Sequence, residues 1–88
     1  MERTLVNITI DPENLPADFP EMAKQDKEIV GKWKEDGTLQ HVFLKEAQNG
    51  VVFIFSDVDK EKVEILIKTL PIYKIQKSVE YLSVKELF

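Results

Sequence analysis

The sequence predicts an α+β domain in which four antiparallel strands form one sheet and both helices cover the same face of it. Runs rich in β-branched and alternating apolar residues mark strands at 4–10, 39–45, 51–55 and 77–84. After the first and third runs, apolar residues recur every three or four positions, as on one side of a helix. The element order is therefore βαββαβ, and right-handed crossovers place the two helices on one face.

The first strand ends at Asp11-Pro12, and the first helix follows a short proline-containing segment. Pro20 suits the first turn of that helix, because the N–H that proline lacks would have no partner there. Asp18 is the expected N-cap. Gly37 follows a lysine-containing turn and is expected to end the helix in a left-handed conformation, after about 18 residues.

The second and third strands flank a segment that ends in Asn49-Gly50, a turn signal typical of an antiparallel hairpin. The third strand, 51–55, is apolar on both of its alternating faces. A strand wetted on one side normally alternates apolar with polar residues, so the sheet face without helices needs a cover. A second copy of the sheet is the simplest cover, and we expect a homodimer or a larger homo-oligomer.

The second helix is expected to begin at a cap formed by Ser56 or Asp57 and to end at Leu70-Pro71. Its apolar stripe consists of Val63, Leu66, Ile67 and Leu70. The last strand follows at 77–84, and residues 85–88 form a tail. With no linker or repeat in the sequence, we expect a single domain, 1–88.

Composition argues against several classes of function. The net charge is −4 and the lysines and glutamates are interspersed, so nucleic acid is not an expected partner. The sequence has neither a secretory signal nor a run of about 18 apolar residues, so we expect no membrane partner and a cytoplasmic location. Without cysteine there is no disulfide, thiolate nucleophile or thiolate metal site.

The strongest chemical signal is an acidic residue on the apolar side of the first helix. Asp26 lies on the axis of the stripe formed by Phe19, Met22, Ala23, Ile29, Val30 and Trp33. A carboxylate that faces a core must be paired, neutralised or used. The chain's one histidine, His41, is the candidate partner, with Asp26 as catalytic base and His41 as donor or proton shuttle. The two groups can touch only if the strand face that carries His41 meets the first helix.

Four further residues are candidate substrate-binding groups: Asn7, Trp33, Phe43 and Tyr73. Each has a structural alternative. Trp33 fits a core or interface position as well as a ligand platform, and Tyr73 can pack with a wet hydroxyl. Asp26 and His41 have structural alternatives too, because a helix carboxylate is often only hydrogen-bonded and a lone strand histidine is usually a packed or surface residue.

Three stretches follow one another along the chain: Asp26-Lys27-Glu28, Gly37-Thr38-Leu39-Gln40-His41 and Leu70-Pro71-Ile72-Tyr73. They resemble the muconolactone isomerase family, within the dimeric α+β barrel superfamily. At comparable spacing and in the same order, that family has a Glu-Lys-Glu stretch on the first helix, a Gly-Thr-aromatic-x-His segment entering the second strand, and a Leu-Pro-Leu-Phe element after the second helix. The resemblance covers nearly the whole chain.

The resemblance implies a ferredoxin-like protomer, self-association into dimers or larger rings, and a pocket between the first helix and the sheet. Enzymes of the family shift a proton on an unsaturated lactone acid, and the resemblance implies neither a metal nor an organic cofactor. Asp26 takes the place of a family Glu and His41 that of the family His. The chain therefore resembles a proton-transfer isomerase that acts on a small unsaturated or oxo acid.

Two departures from the family pattern concern the pocket. Leu44 stands where the family has an Arg, and Lys74-Ile75-Gln76 stands where it has Pro-Tyr-Met. Compared with the family, this chain therefore lacks a cation that could bind a substrate carboxylate and an aromatic ring that could line the pocket. Two further hypotheses therefore stay open: a module that binds a small molecule without turnover, and an oligomerisation domain whose cavity is vestigial.

Overall fold

The computed structural model describes residues 2–88, with only the backbone of Glu2, and its elements follow the predicted βαββαβ order. They are β1 (Glu2–Ile10), α1 (Phe19–Glu35), β2 (Leu39–Leu44), β3 (Gly50–Ser56), α2 (Lys60–Lys68) and β4 (Gln76–Lys85), with a 3₁₀ helix (Pro71–Ile75) between α2 and β4. The strands form one antiparallel sheet in the order β2-β3-β1-β4. This is the predicted ferredoxin-like α+β fold. No helix within residues 2–88 is long and apolar enough to cross a membrane.

The core lies between the helices and one face of the sheet. Val6 pairs with Phe53 across β1 and β3, and both side chains are almost fully buried. Trp33 of α1 packs against Phe55, with ring centroids 5.7 Å apart. The rest of the buried apolar cluster comes from β1, β2, α2 and the segment that follows α2: Ile8, Ile10, Leu39, Val63, Ile67, Leu70 and Ile72. Burial of this cluster is the main source of stability, and it fixes α1 over the sheet.

The opposite face of the sheet has no helix over it, and we call it the open face. It carries Leu5 and Asn7 of β1, Val52 and Ile54 of β3, Phe43 of β2 and Leu82 of β4, which neighbour one another in the strand register. None of these side chains is fully buried, and Phe43 and Leu82 are 55% and 51% exposed. The predicted apolar character of both faces of β3 is thus present in the structure.

The ends of α1 agree with the sequence prediction, whereas the start of α2 does not. Asp18 occupies the N-cap position of α1, where its side chain makes no capping hydrogen bond, and Gly37 follows the helix in the left-handed region at φ 83°. The N-cap of α2 is Asp59, whose side chain accepts from the backbone N–H of Lys62, and neither Ser56 nor Asp57 has that role. The prediction was wrong because β3 extends through Ser56, after which Asp57 turns the chain at φ 59°.

The β2–β3 turn also differs from the Asn49-Gly50 prediction. Gln48 takes the left-handed position at φ 59°, and its backbone N–H donates to the carbonyl oxygen of Lys45. Gly50 is already the first residue of β3, at φ 152°. The 3₁₀ helix after Leu70 was not predicted, although Pro71 fits its first position for the same reason that proline fits the start of an α-helix.

A register shift between Leu39 and His41 changes which side chains of β2 face the helices. Leu39 pairs with Phe55 and is buried on the helix side. After the shift, Val42 pairs with Phe53, so Val42 takes the helix side, and His41 takes the open face beside Ile54. The extra residue therefore moves His41 to the face away from α1.

Candidate functional site

A cavity of about 620 Å³ lies between α1, the β1–α1 loop and the helix-facing side of β2 and β3. Its volume is that of a typical small-molecule site. Its wall is mostly apolar, and four polar residues contribute to it, Asp26, Lys27, Lys45 and Gln48. The apolar part of the wall consists of Ile10, Pro12, Leu15, Phe19, Ala23, Val30, Val42, Leu44, Val51, Phe53, Leu70 and Ile72. A pocket between the first helix and the sheet was what the family resemblance implied.

Asp26 is the one acidic residue in that wall, of the residues that the structure describes. The helical repeat of α1 places it with Phe19, Ala23 and Val30 on the side that faces the cavity. The backbone N–H of Ile72 donates to Oδ1 of Asp26 at 3.2 Å, a bond that favours the ionised carboxylate. Partial burial opposes it and is the larger effect, so the pKa of Asp26 is raised above its ordinary value.

The hydrogen bond from Ile72 also gives Asp26 a structural role. Ile72 is near the start of the 3₁₀ helix, where backbone N–H groups lack partners within the helix. The Asp26 carboxyl satisfies one of them and joins α1 to the segment between α2 and β4. The bond uses one lone pair of Oδ1, and Oδ2 has no hydrogen-bond partner among the described residues.

The structure does not bring Asp26 and His41 together, which corrects the predicted catalytic pair. His41 lies on the open face, exposed, with its ring stacked on that of Phe43 at a centroid distance of 5.9 Å. The sheet itself separates it from the cavity, because its neighbour Val42 occupies the helix side. His41 is therefore not the donor in an Asp26 site within one protomer.

None of the four predicted substrate-binding side chains lines the cavity. Trp33 is in the core against Phe55, so its structural alternative applies. Asn7 is on the open face and donates from Nδ2 to Glu80 at 3.2 Å, and Phe43 shares that face. Tyr73 packs at the edge of the core, on the 3₁₀ helix.

The residues of β2 and of the β1–α1 loop that form the cavity mouth were not predicted from the sequence. Val42 and Leu44 line the cavity and are 40% and 82% exposed, and Leu15 of the β1–α1 loop is 37% exposed nearby in the same wall. An alternation count assigns Val42 and Leu44 to the face opposite Leu39. The signal that was available is that 42–44 is a run of three apolar residues on an edge strand, which a solvated edge does not normally carry.

Lys45 and Gln48 form the end of the cavity next to the β2–β3 turn. The ammonium group of Lys45 donates to Oγ1 of Thr9 at 3.0 Å. Thr9 pairs with Gly50, and since Gly50 has no side chain, Lys45 can extend past it towards β1. Thr9 alternates with the helix-facing Ile8 and belongs to the row of Leu5 and Asn7, so the ammonium is held towards the open face.

No protein-family model and no curated protein sequence matches this chain. Solved structures do. Muconolactone isomerase superposes with a TM-score of 0.77 at 16% identity, over 96% of this chain and 88% of that one. An antibiotic biosynthesis monooxygenase gives a TM-score of 0.66 at 16% identity, over 99% of both chains. The 5-chloro-2-hydroxyhydroquinone dehydrochlorinase of Burkholderia phenoliruptrix, in complex with 2,5-dihydroxybenzoquinone, gives 0.66 at 9% identity, over 96% and 94%.

These likenesses establish the fold. They confirm the predicted structural resemblance to muconolactone isomerase and extend it to a monooxygenase and a dehydrochlorinase of the same architecture. Because proteins of such different named activities share the fold, the activity has to be argued from the cavity of this chain.

Because the pKa of Asp26 is raised, the difference in stability between the wild type and Asp26→Asn should depend on pH. The folded protein holds the Asp26 proton more tightly than the unfolded chain, so the contribution of Asp26 to stability falls as pH rises from the ordinary aspartate pKa through the raised one. Asp26→Asn keeps an acceptor for Ile72 and has no such titration. At pH 7 the variant should be as stable as the wild type or up to about 1 kcal/mol more stable.

Urea unfolding of both proteins at a series of pH values measures this difference. The advantage of Asp26→Asn should shrink as pH falls through the window between the two pKa values. A loss of more than about 2 kcal/mol at pH 7 would show instead that the ionised carboxylate is kept as a cap for the 3₁₀ helix.

Proposed function

We propose that the protein catalyses a cofactor-independent proton transfer on a small unsaturated carbonyl compound, with Asp26 as the general acid and base. The observation that carries this proposal is a single carboxyl group among the described residues, of raised pKa, in the wall of a mostly apolar cavity. Burial raises the pKa of the group, which makes the carboxylate a stronger base for taking a proton from carbon. The cavity opens to solvent at Leu44 and Val42, so a proton held by Asp26 can exchange with water before it is returned.

The reaction of a β,γ-unsaturated lactone illustrates the step. The Asp26 carboxylate takes a proton from the carbon between the carbonyl and the double bond, and the electron pair of that C–H bond enters a dienolate. The protonated Asp26 then returns the proton to the γ-carbon, the double bond moves into conjugation with the carbonyl, and the carboxylate is regenerated. No oxidant or second substrate is consumed, and one carboxyl group serves both steps.

Two structural neighbours support a cyclic, unsaturated substrate. One is named muconolactone isomerase, and the other, the dehydrochlorinase, is in complex with 2,5-dihydroxybenzoquinone. Both names describe small oxygenated rings, which a cavity of about 620 Å³ accommodates.

The experiment uses α-angelica lactone, whose double bond moves into conjugation when a proton shifts. In D₂O the wild type should accelerate formation of the conjugated isomer and incorporate deuterium at the γ-carbon, as followed by NMR. Asp26→Asn should reduce the catalysed rate by about 100-fold or more, the usual contribution of a general base.

The matched control is His41→Gln, which alters the residue that the structure places on the other face of the sheet. It should retain the wild-type rate if its oligomeric mass is unchanged. The proposal is contradicted if Asp26→Asn isomerises the lactone at the wild-type rate. It is also contradicted if His41→Gln loses the activity while its oligomeric mass is unchanged.

Binding without turnover is the second candidate function, and one observation favours it. Proton abstraction also needs a donor for the developing enolate oxygen, and the backbone N–H of Ile72, a donor beside Asp26, is already bonded to Asp26. If the lactone binds in the cavity but the wild type neither isomerises it nor exchanges its protons, this second function replaces the first.

We also propose that two protomers associate through their open faces. Leu5, Val52, Ile54 and Leu82 present an apolar surface there, and Oδ1 of Asn7 is buried with no hydrogen-bond partner among residues 2–88. A second copy of the sheet would cover the apolar side chains and bring polar groups to that oxygen. In such a dimer the two cavities lie on the outer sides of the paired sheets.

A further inference from the structure

We infer that the cavity selects an uncharged substrate, such as a lactone, ketone or quinone without a carboxylate, and rejects the corresponding acid. This selectivity rests on the proposed function, since it concerns the same cavity. It is carried by the arrangement of charge around the cavity: one carboxyl group inside, an aliphatic mouth, and two wall lysines of which neither is held against the ligand space by a contact with the described residues.

The mouth of the cavity is aliphatic. Leu44, Val42 and Leu15 line it while remaining 82%, 40% and 37% exposed. Contact of these exposed aliphatic side chains with an apolar ligand contributes favourable binding free energy, because the ligand removes them from water. A ligand carboxylate placed between them would lose its hydration and find no hydrogen-bond donor in exchange.

The two lysines of the wall do not provide that donor. The ammonium group of Lys45 is bonded to Thr9 Oγ1 at 3.0 Å and is thereby held towards the open face. Lys27 follows Asp26 on α1 and is exposed, and no hydrogen bond or ion pair with a described residue holds its ammonium against the cavity, so the ammonium is free to stay in water. Neither lysine forms an ion pair among the described residues.

Asp26 itself opposes an anionic ligand. A carboxylate in the same apolar cavity would repel the ionised form of Asp26, and binding would require Asp26 to take up a proton. A neutral carbonyl compound meets no such repulsion. It can also accept a hydrogen bond from the protonated Asp26, whose pKa partial burial already raises.

Phenylacetamide and phenylacetate test the selectivity, because they are nearly the same size and differ in charge. Binding of each to the full-length protein at pH 7 is measured by NMR titration of the backbone amides that surround the cavity. The wild type should bind phenylacetamide at least about tenfold more tightly than phenylacetate. The variant Leu44→Arg adds a cation at the mouth and should improve phenylacetate binding about tenfold while changing phenylacetamide binding little.

The matched control is Ile65→Arg, which adds the same charge at an exposed position of α2 outside the cavity wall. It should leave the preference of the wild type in place, so that a general change of net charge cannot imitate the effect of Leu44→Arg. Both substituted residues are largely exposed, 82% and 65%, so both variants should fold.

The outcomes separate this inference from the proposed function. A preference for phenylacetamide without any isomerisation of α-angelica lactone supports the charge selectivity and contradicts the catalysis. Isomerisation together with equal or tighter binding of phenylacetate contradicts the selectivity alone. If neither ligand shifts the amides around the cavity at millimolar concentration, the cavity is not a ligand site and both are contradicted.

Discussion

Replacing Gly50 with alanine is expected to lower the free energy of unfolding by at least about 4 kcal/mol. Gly50 begins β3 at φ 152°, in a region that side-chain-bearing residues rarely adopt. A Cβ atom there would lie 1.9 Å from the carbonyl oxygen of Ile8, on the neighbouring strand. The collision would separate β1 from β3 where Ile8 pairs with Val51, and these are the two central strands of the sheet.

Gly31→Ala is the control for this prediction. Gly31 is within α1, and a Cβ atom there would have no neighbour within 4 Å. Alanine should therefore stabilise the protein by up to about 1 kcal/mol through its higher helix propensity. Urea unfolding of the two variants measures both changes. Similar unfolding energies for the two would contradict the close approach of β3 to β1.

Replacing Leu82 with aspartate is expected to dissociate the proposed dimer, weakening its association by about 10⁴-fold or more. Leu82 is on the open face of β4, beside Leu5 of β1. In a two-fold dimer each change acts twice, so two carboxylates would be buried against apolar side chains without partners. Sedimentation equilibrium at micromolar concentration should show the protomer mass of 10.2 kDa for the variant and at least twice that mass for the wild type.

Ile65→Asp is the matched control for the open face. Ile65 is an aliphatic residue of similar exposure, 65% against 51% for Leu82, but it is on α2. Its replacement should leave the mass of the assembly unchanged. A wild type that stays a folded monomer would show that there is no such interface. Dissociation of Ile65→Asp but not of Leu82→Asp would place the interface on α2 instead of the open face.

Asp26 could be identified from the sequence because helical periodicity accumulates over a long segment. In α1 the stripe runs over several turns, and one missing or extra residue would have broken its agreement with Phe19, Val30 and Trp33. Several turns of the helix therefore agree on the side of α1 that carries Asp26. The same reasoning gave the order of strands and helices, since each element is long enough to show its own repeat.

The position of His41 could not be obtained in the same way. A strand has a two-residue repeat, so a single extra residue transfers every later side chain to the other face. The shift between Leu39 and His41 is such a case, and the sequence of β2 is apolar enough on both faces to conceal it. One extra residue in β2 therefore places His41, the predicted partner of Asp26, on the other face of the sheet.

The boundaries that were missed have a common cause. Asp57 and Gln48 both adopt positive φ although neither is glycine, and the sequence signals at Asn49-Gly50 and Ser56 pointed one or two residues away. Tertiary contacts fix these turns. The backbone of Gly50 passes close to the carbonyl group of Ile8, so β3 begins there, and the strand extends through Ser56 because Ser56 pairs with Arg3. Local propensity contains no information about such long-range pairing.

Asp26 combines a structural contact with the position expected of a functional group. Its bond to Ile72 joins α1 to the 3₁₀ helix, while its partial burial in the apolar cavity raises its pKa. A group kept only as a cap would be better placed in water, where an ionised carboxylate is most easily accommodated. The cavity that surrounds it is what favours a role with a bound molecule.

The most direct test of this account is a ¹³C NMR titration of the Asp26 side-chain carboxyl, first in the free protein and then in the presence of phenylacetamide. Comparison with Asp26→Asn assigns the resonance. We expect a pKa above that of an ordinary aspartate in the free protein and a further rise with the amide bound, because the ligand displaces water and accepts a hydrogen bond from the protonated form. An ordinary or lowered pKa that the amide does not change would rule out the proposed role of Asp26.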